Sequence, residues 1–376
     1  MKIILFANTD WYLYNFRLPL AQSLQEGGYQ VILLSPSGPY VERLQAQGFR
    51  WVNFPLSRRG LNPFAEGFTI LRLLSLYQYE KPDIVHHFTI KCVLYGSLVA
   101  RLIGIKSVVN SVTGLGYVFL AGGTIKNVLR WFITFFYRFV LRGTKVIFQN
   151  PDDQQLFLEY RLVRENDAVL ILGSGVDIER FVPKPEEAGE PIIVFPGRLL
   201  WDKGVGEFVA AARMLQDEGV RARFVLVGES DPNNPACIPQ EQIQEWIQKG
   251  DIEWWGWRED MNQVFAQAHL VCLPSYREGL PKSLIEAASS GRPIVTTDLP
   301  GCREVVQEGK NGLLVPARDP EALATAIRSL LQNQIQRQKM GALGRELAVS
   351  LFSESKIVAQ TLGVYHSVYQ PVEGSL

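Results

Sequence analysis

The sequence predicts an α/β protein built from two doubly wound domains, and three observations lead to this fold class. The chain has 376 residues, more than one hydrophobic core usually supports. Short apolar runs rich in β-branched residues alternate with segments of helical length, as in βαβ units with a parallel sheet. The runs form two series, separated by the Pro-, Glu- and Gly-rich stretch VPKPEEAGEP.

Each series supplies the strands of one predicted sheet. The first contains KIILFA, QVILLS, RWVNFP, DIVHHF, KSVVNSV and KVIFQN, and the second contains PIIVFPG, RFVLVG, IEWWG, HLVCLPS, PIVTT and GLLVP. We predict an N-terminal domain over 1–181, a linker over 182–191, a C-terminal domain over 192–352 and, in 353–376, a helix that returns to the first domain. Two facing domains would form a cleft at the carboxyl ends of their strands, where open α/β sheets bind ligands.

Composition and the start of the chain exclude several classes of protein. Lys plus Arg equals Asp plus Glu, at 38 each, which disfavours binding to nucleic acid. The cysteines form no C-x-x-C pair, which suits a reducing compartment better than disulfides or a zinc site. The apolar run before Asn8 is too short for a signal peptide, and no run is long enough to span a membrane. We therefore expect a cytoplasmic protein.

Common cofactor and nucleophile motifs are missing from this sequence. FANTDWYLYNF lacks the G-x-G-x-x-G of dinucleotide-binding proteins, and there is no P-loop and no G-x-S-x-G elbow. No two aspartates stand two apart, as they often do to hold a cation in sugar-nucleotide enzymes. Asp152 and Asp153 are adjacent, and we interpret them as caps of the helix that follows Pro151. We expect no metal cofactor.

The stretch SYREGLPKSLIEA places two carboxylates on either side of a strand-to-helix turn. Pro281 suits the first turn of the predicted helix and Gly291 suits its end. The amides of residues 279–283 would lack helical partners and would favour a phosphate. Glu286 would accept hydrogen bonds from ribose hydroxyls, and Glu278 from a second sugar.

A basic pair in FPGRLLWDKGVGEF complements these carboxylates. Arg198 offers a planar fork for two phosphate oxygens, and Lys203, beside Gly204, offers a point charge. Taken singly, each of these charges has an alternative as a solvated surface residue. A glycosidase would also use two carboxylates, but it needs no basic clamp. Together the groups would neutralise a leaving diphosphate without a metal.

At these residues the chain resembles a known family. GRLLWDKG and EGLPKSLIE, followed by GRPIVTTDLPGCREVVQEGKNGLLVP, are similar to the signature region of retaining glycosyltransferases of family 4, which have the two-domain GT-B fold with two facing Rossmann-like domains. YNFRLPLAQSL, RRGLNPF, TGLGYVF and GESDPNNPA resemble the branch that extends polyprenyl-diphosphate-linked oligosaccharides in bacterial surface-glycan assembly. The resemblance covers nearly the whole chain.

The resemblance implies roles for particular residues. Arg198 and Lys203 would bind the donor diphosphate, Glu286 the ribose and Glu278 the transferred sugar. The rest of the implied donor site consists of Gly279, Leu280, Pro281, Lys282, Ser283, Gly256 and Trp257. The candidate acceptor or sugar site consists of Asn15, Arg17, His86, His87, Lys91, Thr113 and Gly114. DIVHHFTIK departs from the family pattern, with Phe88 where many relatives have a second histidine, so each histidine is either catalytic or a hydrogen-bonded strand residue.

The implied reaction is transfer, with retention of configuration, from a nucleotide diphosphate sugar to a polyprenyl-diphosphate-linked saccharide. The donor would be a UDP-linked N-acetylhexosamine or hexose, and stabilisation of the leaving diphosphate would contribute most to catalysis. Three alternatives stay open: a UDP-sugar epimerase of the same fold, a non-catalytic sugar-binding protein, and a partner subunit with an inactive site. The intact basic and acidic motifs argue against the last.

The segment TIKNVLRWFITFFYRFVLRGTK predicts an amphipathic helix. Its cations fall on one half of the helical wheel, and these are Lys126, Arg130, Arg138 and Arg142. Phe132, Phe135, Phe136 and Phe139 fall on the other half. We predict that the basic face contacts anionic lipid, which would place the protein on the inner face of the cell membrane. In the alternative, the aromatic face packs on the sheet and the basic face is solvated.

Overall fold

A computed structural model of the chain describes residues 1–57, 62–114, 134–232 and 234–369. The chain folds into two compact units. Unit 1 comprises residues 1–174 together with the segment from residue 355 to the C-terminus, and unit 2 comprises residues 175–354.

Unit 1 contains a sheet of seven parallel strands in the order β3-β2-β1-β4-β5-β6-β7. The strands are β1 (Lys2–Phe6), β2 (Gln30–Ser35), β3 (Arg50–Asn53), β4 (Ile84–Phe88), β5 (Ser107–Val112), β6 (Lys145–Phe148) and β7 (Ala168–Leu170). The chain order reverses between β1 and β4, which pair from Ile3 with Ile84 to Phe6 with His87. This reversal is the topological switch point of unit 1.

Helices cover both faces of the sheet of unit 1. Apolar residues of α2, α3 and α14 form one core with the sheet, and those of α4, α5, α6 and α7 form the core on the other face. The helices are α1 (Asp10–Tyr12), α2 (Leu18–Glu26), α3 (Val41–Ala46), α4 (Pro63–Glu80), α5 (Ile90–Ile103), α6 (134–141), α7 (Pro151–Glu159) and α14 (Glu354–Val368), with a π-helix over Leu13–Arg17. Buried on both faces, the strands carry the continuous apolar runs seen in the sequence.

Unit 2 contains a second parallel sheet, in the order β10-β9-β8-β11-β12-β13, with its own reversal between β8 and β11. Its strands are β8 (Ile192–Pro196), β9 (Arg223–Val227), β10 (Glu253–Trp254), β11 (Leu270–Leu273), β12 (Ile294–Thr297) and β13 (Gly312–Val315). Its helices are α8 (Val205–Asp217), α9 (Gln240–Gln248), α10 (Met261–Gln267), α11 (Lys282–Ser289), α12 (Pro320–Leu331) and α13 (Gln334–Phe352).

The stretch expected to be a linker, 182–191, packs against unit 2. Arg292, which is buried, donates to the carbonyls of Lys184 and Ala266 at 2.7 and 2.9 Å. Arg337 forms a buried ion pair with Glu186 at 2.8 Å. Composition indicated a linker, and two arginines of unit 2 bind the Lys184 carbonyl and the Glu186 carboxylate of this stretch.

Two local features differ from the prediction. The cap of α7 is Asn150, whose side chain accepts a hydrogen bond from the Asp153 amide, so the interpretation of Asp152 and Asp153 as caps was wrong. They lie in the first turn instead, where carboxylates favour the helix dipole. Strand β7 was not predicted, because its three residues carry too short an apolar pattern.

Candidate active site

The loop between β11 and α11 carries the first predicted motif. Pro281 directly precedes α11 and the first helical residue is Lys282, so amide groups of the first turn lack intrahelical acceptors. Glu286 lies one turn further along and is partly buried. Burial raises the pKa of Glu286, the charges of Lys282 and Arg180 oppose this, and the carboxylate of Glu354 adds to it. A carboxylate in this setting gains from a ligand that donates hydrogen bonds.

Glu278 and Lys203 form an ion pair between two loops of unit 2. The Lys203 Nζ lies 2.5 Å from Glu278 Oε1, and both side chains are mostly buried, at 19% and 13% exposure. Lys203 ends a 3₁₀-helix, Trp201–Lys203, that follows β8. The two residues that the sequence assigned to the diphosphate and the sugar are therefore in direct contact.

Arg198 is also paired with a carboxylate. It follows β8, and its Nη1 lies 2.9 Å from Asp231 Oδ2 in the loop after β9. The two loops approach closely because Gly228 has no side chain: a Cβ there would lie 1.9 Å from the Gly197 carbonyl oxygen. Asp231 was not predicted as a site residue, although it lies within the quoted GESDPNNPA segment.

Two glycines bring the loops of this site together. Gly204 has φ 75°, and a Cβ there would lie 2.1 Å from the Pro274 carbonyl oxygen. Gly301, in the PGC segment after β12, has φ 87°, and its Cβ would lie 2.7 Å from the carbonyl oxygen of Glu278. Neither contact allows a larger residue. The loops after β8, β11 and β12 thus meet at the carboxyl edge of the sheet.

The segment predicted to hold the base follows β10. Gly256 has φ 68°, and its carbonyl accepts a hydrogen bond from the Gly228 amide at 2.9 Å. Trp257 is 44% exposed. The arrangement links this segment to the Gly228 turn beside Arg198, and it leaves an aromatic surface in solvent.

In unit 1 the two histidines of β4 are fully buried, and both ring nitrogens of each have partners. His86 Nδ1 lies 2.6 Å from the Tyr365 hydroxyl, and its Nε2 lies 2.7 Å from Ser111 Oγ. His87 Nδ1 lies 2.8 Å from Asn110 Oδ1, and its Nε2 lies 3.0 Å from the Tyr77 hydroxyl. This geometry corresponds to the hydrogen-bonded alternative.

Burial determines how these rings titrate. It lowers the pKa of His87 to about 4, against the opposing effect of the hydrogen bond to Asn110. Burial also lowers the pKa of His86 well below its usual range, and the charges of Arg17 and His87 add to this. Both imidazoles are therefore neutral at physiological pH and act as fixed hydrogen-bonding groups.

The other candidates in unit 1 lie near the carboxyl ends of its strands. Arg17 ends the π-helix after β1 and is buried, and Asn15, in the same helix, donates to the Trp11 carbonyl. Lys91, in the first turn of α5, pairs with Glu66 at 2.6 Å. Thr113 and Gly114 follow β5 directly.

Half of the predicted membrane-contact residues can be placed. Lys126 and Arg130 lie outside the described residues. Arg138 is on the exposed side of α6 and donates to the carbonyls of Tyr160 and Arg161, and Arg142 directly follows α6.

The alternative of a buried aromatic face on α6 was wrong for two of its residues. Phe135 and Phe139 are 62% and 49% exposed, whereas Tyr137, Val140 and Leu141 are buried against the sheet. Side chains three and four apart share a face of a helix, but the helical wheel alone does not determine which face is covered.

Two family models match most of the chain. The model described as "Glycosyl transferase 4-like" matches residues 2–150, and "Glycosyl transferases group 1" matches residues 190–333.

Within the described residues, no group of His, Cys, Asp and Glu side chains is arranged to hold a metal ion, and no helix is long and apolar enough to cross a membrane.

Two relatives of known name align over about four fifths of the chain or more. The chain is 27% identical to the N,N'-diacetylbacillosaminyl-diphospho-undecaprenol alpha-1,3-N-acetylgalactosaminyltransferase of Campylobacter jejuni, over 99% of this chain and 100% of that protein. It is 23% identical to the UDP-Gal:alpha-D-GlcNAc-diphosphoundecaprenol alpha-1,3-galactosyltransferase of Escherichia coli, over 81% of this chain and 80% of that protein.

A solved structure agrees with the observed fold. Anabaena Alr3699/HepE, crystallised in complex with UDP, superposes with a TM-score of 0.78 at 17% identity, over 98% of this chain and 100% of that one. With two parallel sheets of Rossmann order, matching models in both halves and these relatives, the chain belongs to the family 4 (group 1) glycosyltransferases and has the GT-B fold.

Proposed function

We propose that the protein transfers a sugar, with retention of anomeric configuration, from a UDP-sugar to a saccharide linked to polyprenyl diphosphate. The observation that carries this is the set of groups at the carboxyl edge of the unit 2 sheet. There Lys203 pairs with Glu278 in the loop that leads into α11, and Arg198 lies, like Lys203, in the segment that follows β8. Two cations and a helix N-terminus suit a diphosphate, and the two glutamates suit sugar hydroxyls.

The proposed roles divide between the units. Unit 2 binds the donor: Arg198 and Lys203 hold the diphosphate, Glu286 the ribose, and the segment around Gly256 and Trp257 the base. UDP as the nucleotide is supported by the HepE complex and by the galactosyl donor in the name of the E. coli relative. Unit 1 binds the acceptor, and the undecaprenol-linked acceptors named for both relatives support a polyprenyl diphosphate.

The proposed chemistry needs no separate general base. The bond between the sugar C1 and the UDP oxygen breaks, and a bond from C1 to the acceptor oxygen forms on the same face. The acceptor hydroxyl gives its proton to the departing β-phosphate. Arg198, Lys203 and the amides of α11 stabilise the charge that develops on the leaving diphosphate, and this stabilisation contributes most to lowering the barrier. Glu278 orients the sugar and does not attack it.

Lys203 has to serve two anions in this scheme. It pairs with Glu278, so a diphosphate bound here shares or replaces that carboxylate. Arg198 likewise exchanges part of its contact with Asp231 for phosphate oxygens. Both cations are therefore held in place by carboxylates of the protein, and exchanging these contacts lowers donor affinity.

We also propose that unit 1 contacts an anionic membrane surface, as an enzyme on the cytoplasmic face would. Exposed apolar side chains on α4 support this: Phe64, Phe68 and Leu71, at i, i+4 and i+7, are 89%, 69% and 63% exposed. Phe135 and Phe139 are exposed on α6, which packs on the same side of the sheet.

The charges on and beside α4 and α6 favour an anionic surface. The acidic residues of α4, Glu66 and Glu80, are both largely buried in ion pairs, with Lys91 and Arg50. Arg138 and Arg142 lie on or beside the exposed part of α6. Apolar side chains flanked by cations are the composition of an interfacial surface.

A screen of UDP-sugars against a short polyprenyl-diphosphate-linked sugar tests the transfer. UDP release together with a product one sugar heavier is expected, and the anomeric coupling constant of the product reports retention. A second candidate, a UDP-sugar epimerase, would convert the donor without any acceptor and release no UDP. UDP-sugar returned unchanged under all conditions would leave only a binding function.

A further inference from the structure

Among the described residues of unit 1, one buried guanidinium has no ionic partner. Arg17 is only 5% exposed, and within the described chain no carboxylate forms an ion pair with it. Its Nη2 donates to the Tyr12 hydroxyl at 2.8 Å, and its buried Nε has no acceptor in the part of the chain that the structure describes. Burying a charge without a counter-charge is costly, so the folded protein gains from any anion that reaches this group.

The groups around Arg17 do not supply that anion. Its Cζ lies 4.5 Å from the centre of the Phe88 ring and 5.4 Å from that of Tyr12. Aromatic faces compensate part of the charge but accept no N–H hydrogen bond of full strength. Asp10, the buried acid of the same segment, accepts from the Tyr40 amide at 2.7 Å.

The titratable groups that face Arg17 are also neutral. They are His86 and Tyr365, which hydrogen-bond to each other. Burial first, and then the charge of Arg17, lower the pKa of His86, and burial raises the pKa of Tyr365 far above its usual range. His86 and Tyr365 therefore supply no negative charge to balance that of Arg17.

Arg17 lies where an open α/β sheet binds its ligand. It follows β1, and Phe88, which it covers, is the last residue of β4. These two strands flank the topological switch point of unit 1, and their carboxyl ends are the usual ligand position. Thr89 next to Phe88 has φ 71°, a conformation that is strained for a β-branched residue and is typical of ligand sites.

We propose that Arg17 binds a phosphate oxygen of a diphosphate group at the switch point of unit 1. This deepens the proposed function and rests on it for the ligand class, because that reaction supplies two diphosphates. One belongs to the polyprenyl-linked acceptor and the other to the nucleotide sugar. The planar fork of arginine suits either, so the chemistry is shared and the source is decided by experiment.

Inorganic pyrophosphate is the first probe, with calorimetry on the full chain. Arg17→Met removes the charge and keeps much of the packing. We expect one pyrophosphate site to weaken at least about tenfold, while the clamp of Arg198 and Lys203 in unit 2 still binds. Arg43→Met is the matched control, because Arg43 also lies over aromatic rings of unit 1, those of Tyr14 and Tyr40, but is exposed. We expect it to keep the wild-type affinity.

Thermal unfolding separates a ligand site from a structural role. If Arg17 is kept for a ligand, ligand-free Arg17→Met should unfold at the wild-type temperature or above it, because an uncompensated buried charge has been removed. Pyrophosphate should raise the Tm of the wild type by more than that of the variant, which keeps the diphosphate clamp of unit 2. If Arg17→Met does not fold, Arg17→Lys keeps the charge without the fork and should bind pyrophosphate several-fold more weakly.

Steady-state kinetics identify the source of the diphosphate. A KM for the polyprenyl-diphosphate sugar raised at least about tenfold in Arg17→Met, with the donor KM within about twofold, assigns the site to the acceptor. The reverse pattern assigns it to the donor. Unchanged values for both KM and for pyrophosphate affinity would overturn the proposal, as would a lower Tm with unchanged affinity.

The two proposals fail separately. Pyrophosphate binding that depends on Arg17 in a protein that transfers no sugar would keep the anion site and refute the transferase activity. Normal transfer by Arg17→Met on every acceptor tested, with wild-type KM values and wild-type pyrophosphate affinity, would refute the anion site and leave the transferase.

Discussion

Glu278→Gln tests the ion pair at the centre of the donor site. Glutamine keeps the shape of the side chain and removes its charge, so Lys203 loses the carboxylate that lies 2.5 Å from its Nζ. We expect two opposite effects: slower turnover and tighter binding of the product UDP. A merely structural glutamate would not separate these two quantities.

The magnitudes follow from the burial of the pair. Both side chains are less than one fifth exposed, so the charge that is removed acts in a partly desolvated site. Loss of a charged contact to the transition state costs about 3–4 kcal/mol, or about 100–1,000-fold in kcat. Lys203, no longer neutralised by a carboxylate, gains about 1 kcal/mol toward the diphosphate, which is about fivefold in the Kd of UDP.

Calorimetry with UDP and single-turnover transfer assays measure the two effects. Glu245→Gln is the matched control, because it breaks an ion pair with Lys249 on the exposed surface of α9. Wild-type kcat in Glu278→Gln, or a UDP affinity that stays the same or weakens, would refute the reasoning.

The remaining predictions concern the donor, the metal and the membrane. Glu286→Gln should raise the donor KM at neutral pH. Burial raises the pKa of Glu286, so as the pH falls the wild-type donor KM should begin to rise at a higher pH than it would with an ordinary glutamate. The donor KM of the variant should not show this rise at low pH. Arg198→Ala should lower kcat/KM by about 100-fold or more, and a change below about threefold would contradict its role. Transfer should survive EDTA, and loss of activity restored by magnesium or manganese would contradict a purely basic clamp. A triple variant with Glu at Arg130, Arg138 and Arg142 should no longer sediment with anionic liposomes at low salt, and its circular dichroism spectrum should match that of the wild type. Equal partitioning of variant and wild type would show that these cations are only solvated.

Sequence patterns predicted the strands well, for a physical reason. A parallel strand covered on both faces must be apolar along its whole length, and such runs are visible in the sequence alone. The limits of α11 were also predicted from the sequence, because Pro281 directly precedes the helix and Gly291 follows its end. Strand β7 escaped because three residues at the edge of a sheet carry no distinctive period.

Motif spacing located loops but not their partners. The sequence placed Arg198, Lys203 and Glu278 after strands, which is enough to predict one edge of a sheet. That Lys203 pairs with Glu278, and Arg198 with Asp231, depends on how closely the loops approach. Those distances depend on the packing of backbone around glycines, and no local pattern encodes them.

The histidines and α6 show the same division between what the sequence and the tertiary structure decide. The sequence determined that His86 and His87 lie in a strand and that α6 has two faces, since both follow from local period. Tertiary structure decided which side chains hydrogen-bond to their ring nitrogens, and these are Asn110, Ser111, Tyr77 and Tyr365. It also decided that Phe135 and Phe139 face outward. Hydrogen-bond partners distant in sequence and the choice of covered face depend on which elements pack together, and that is a property of the whole fold.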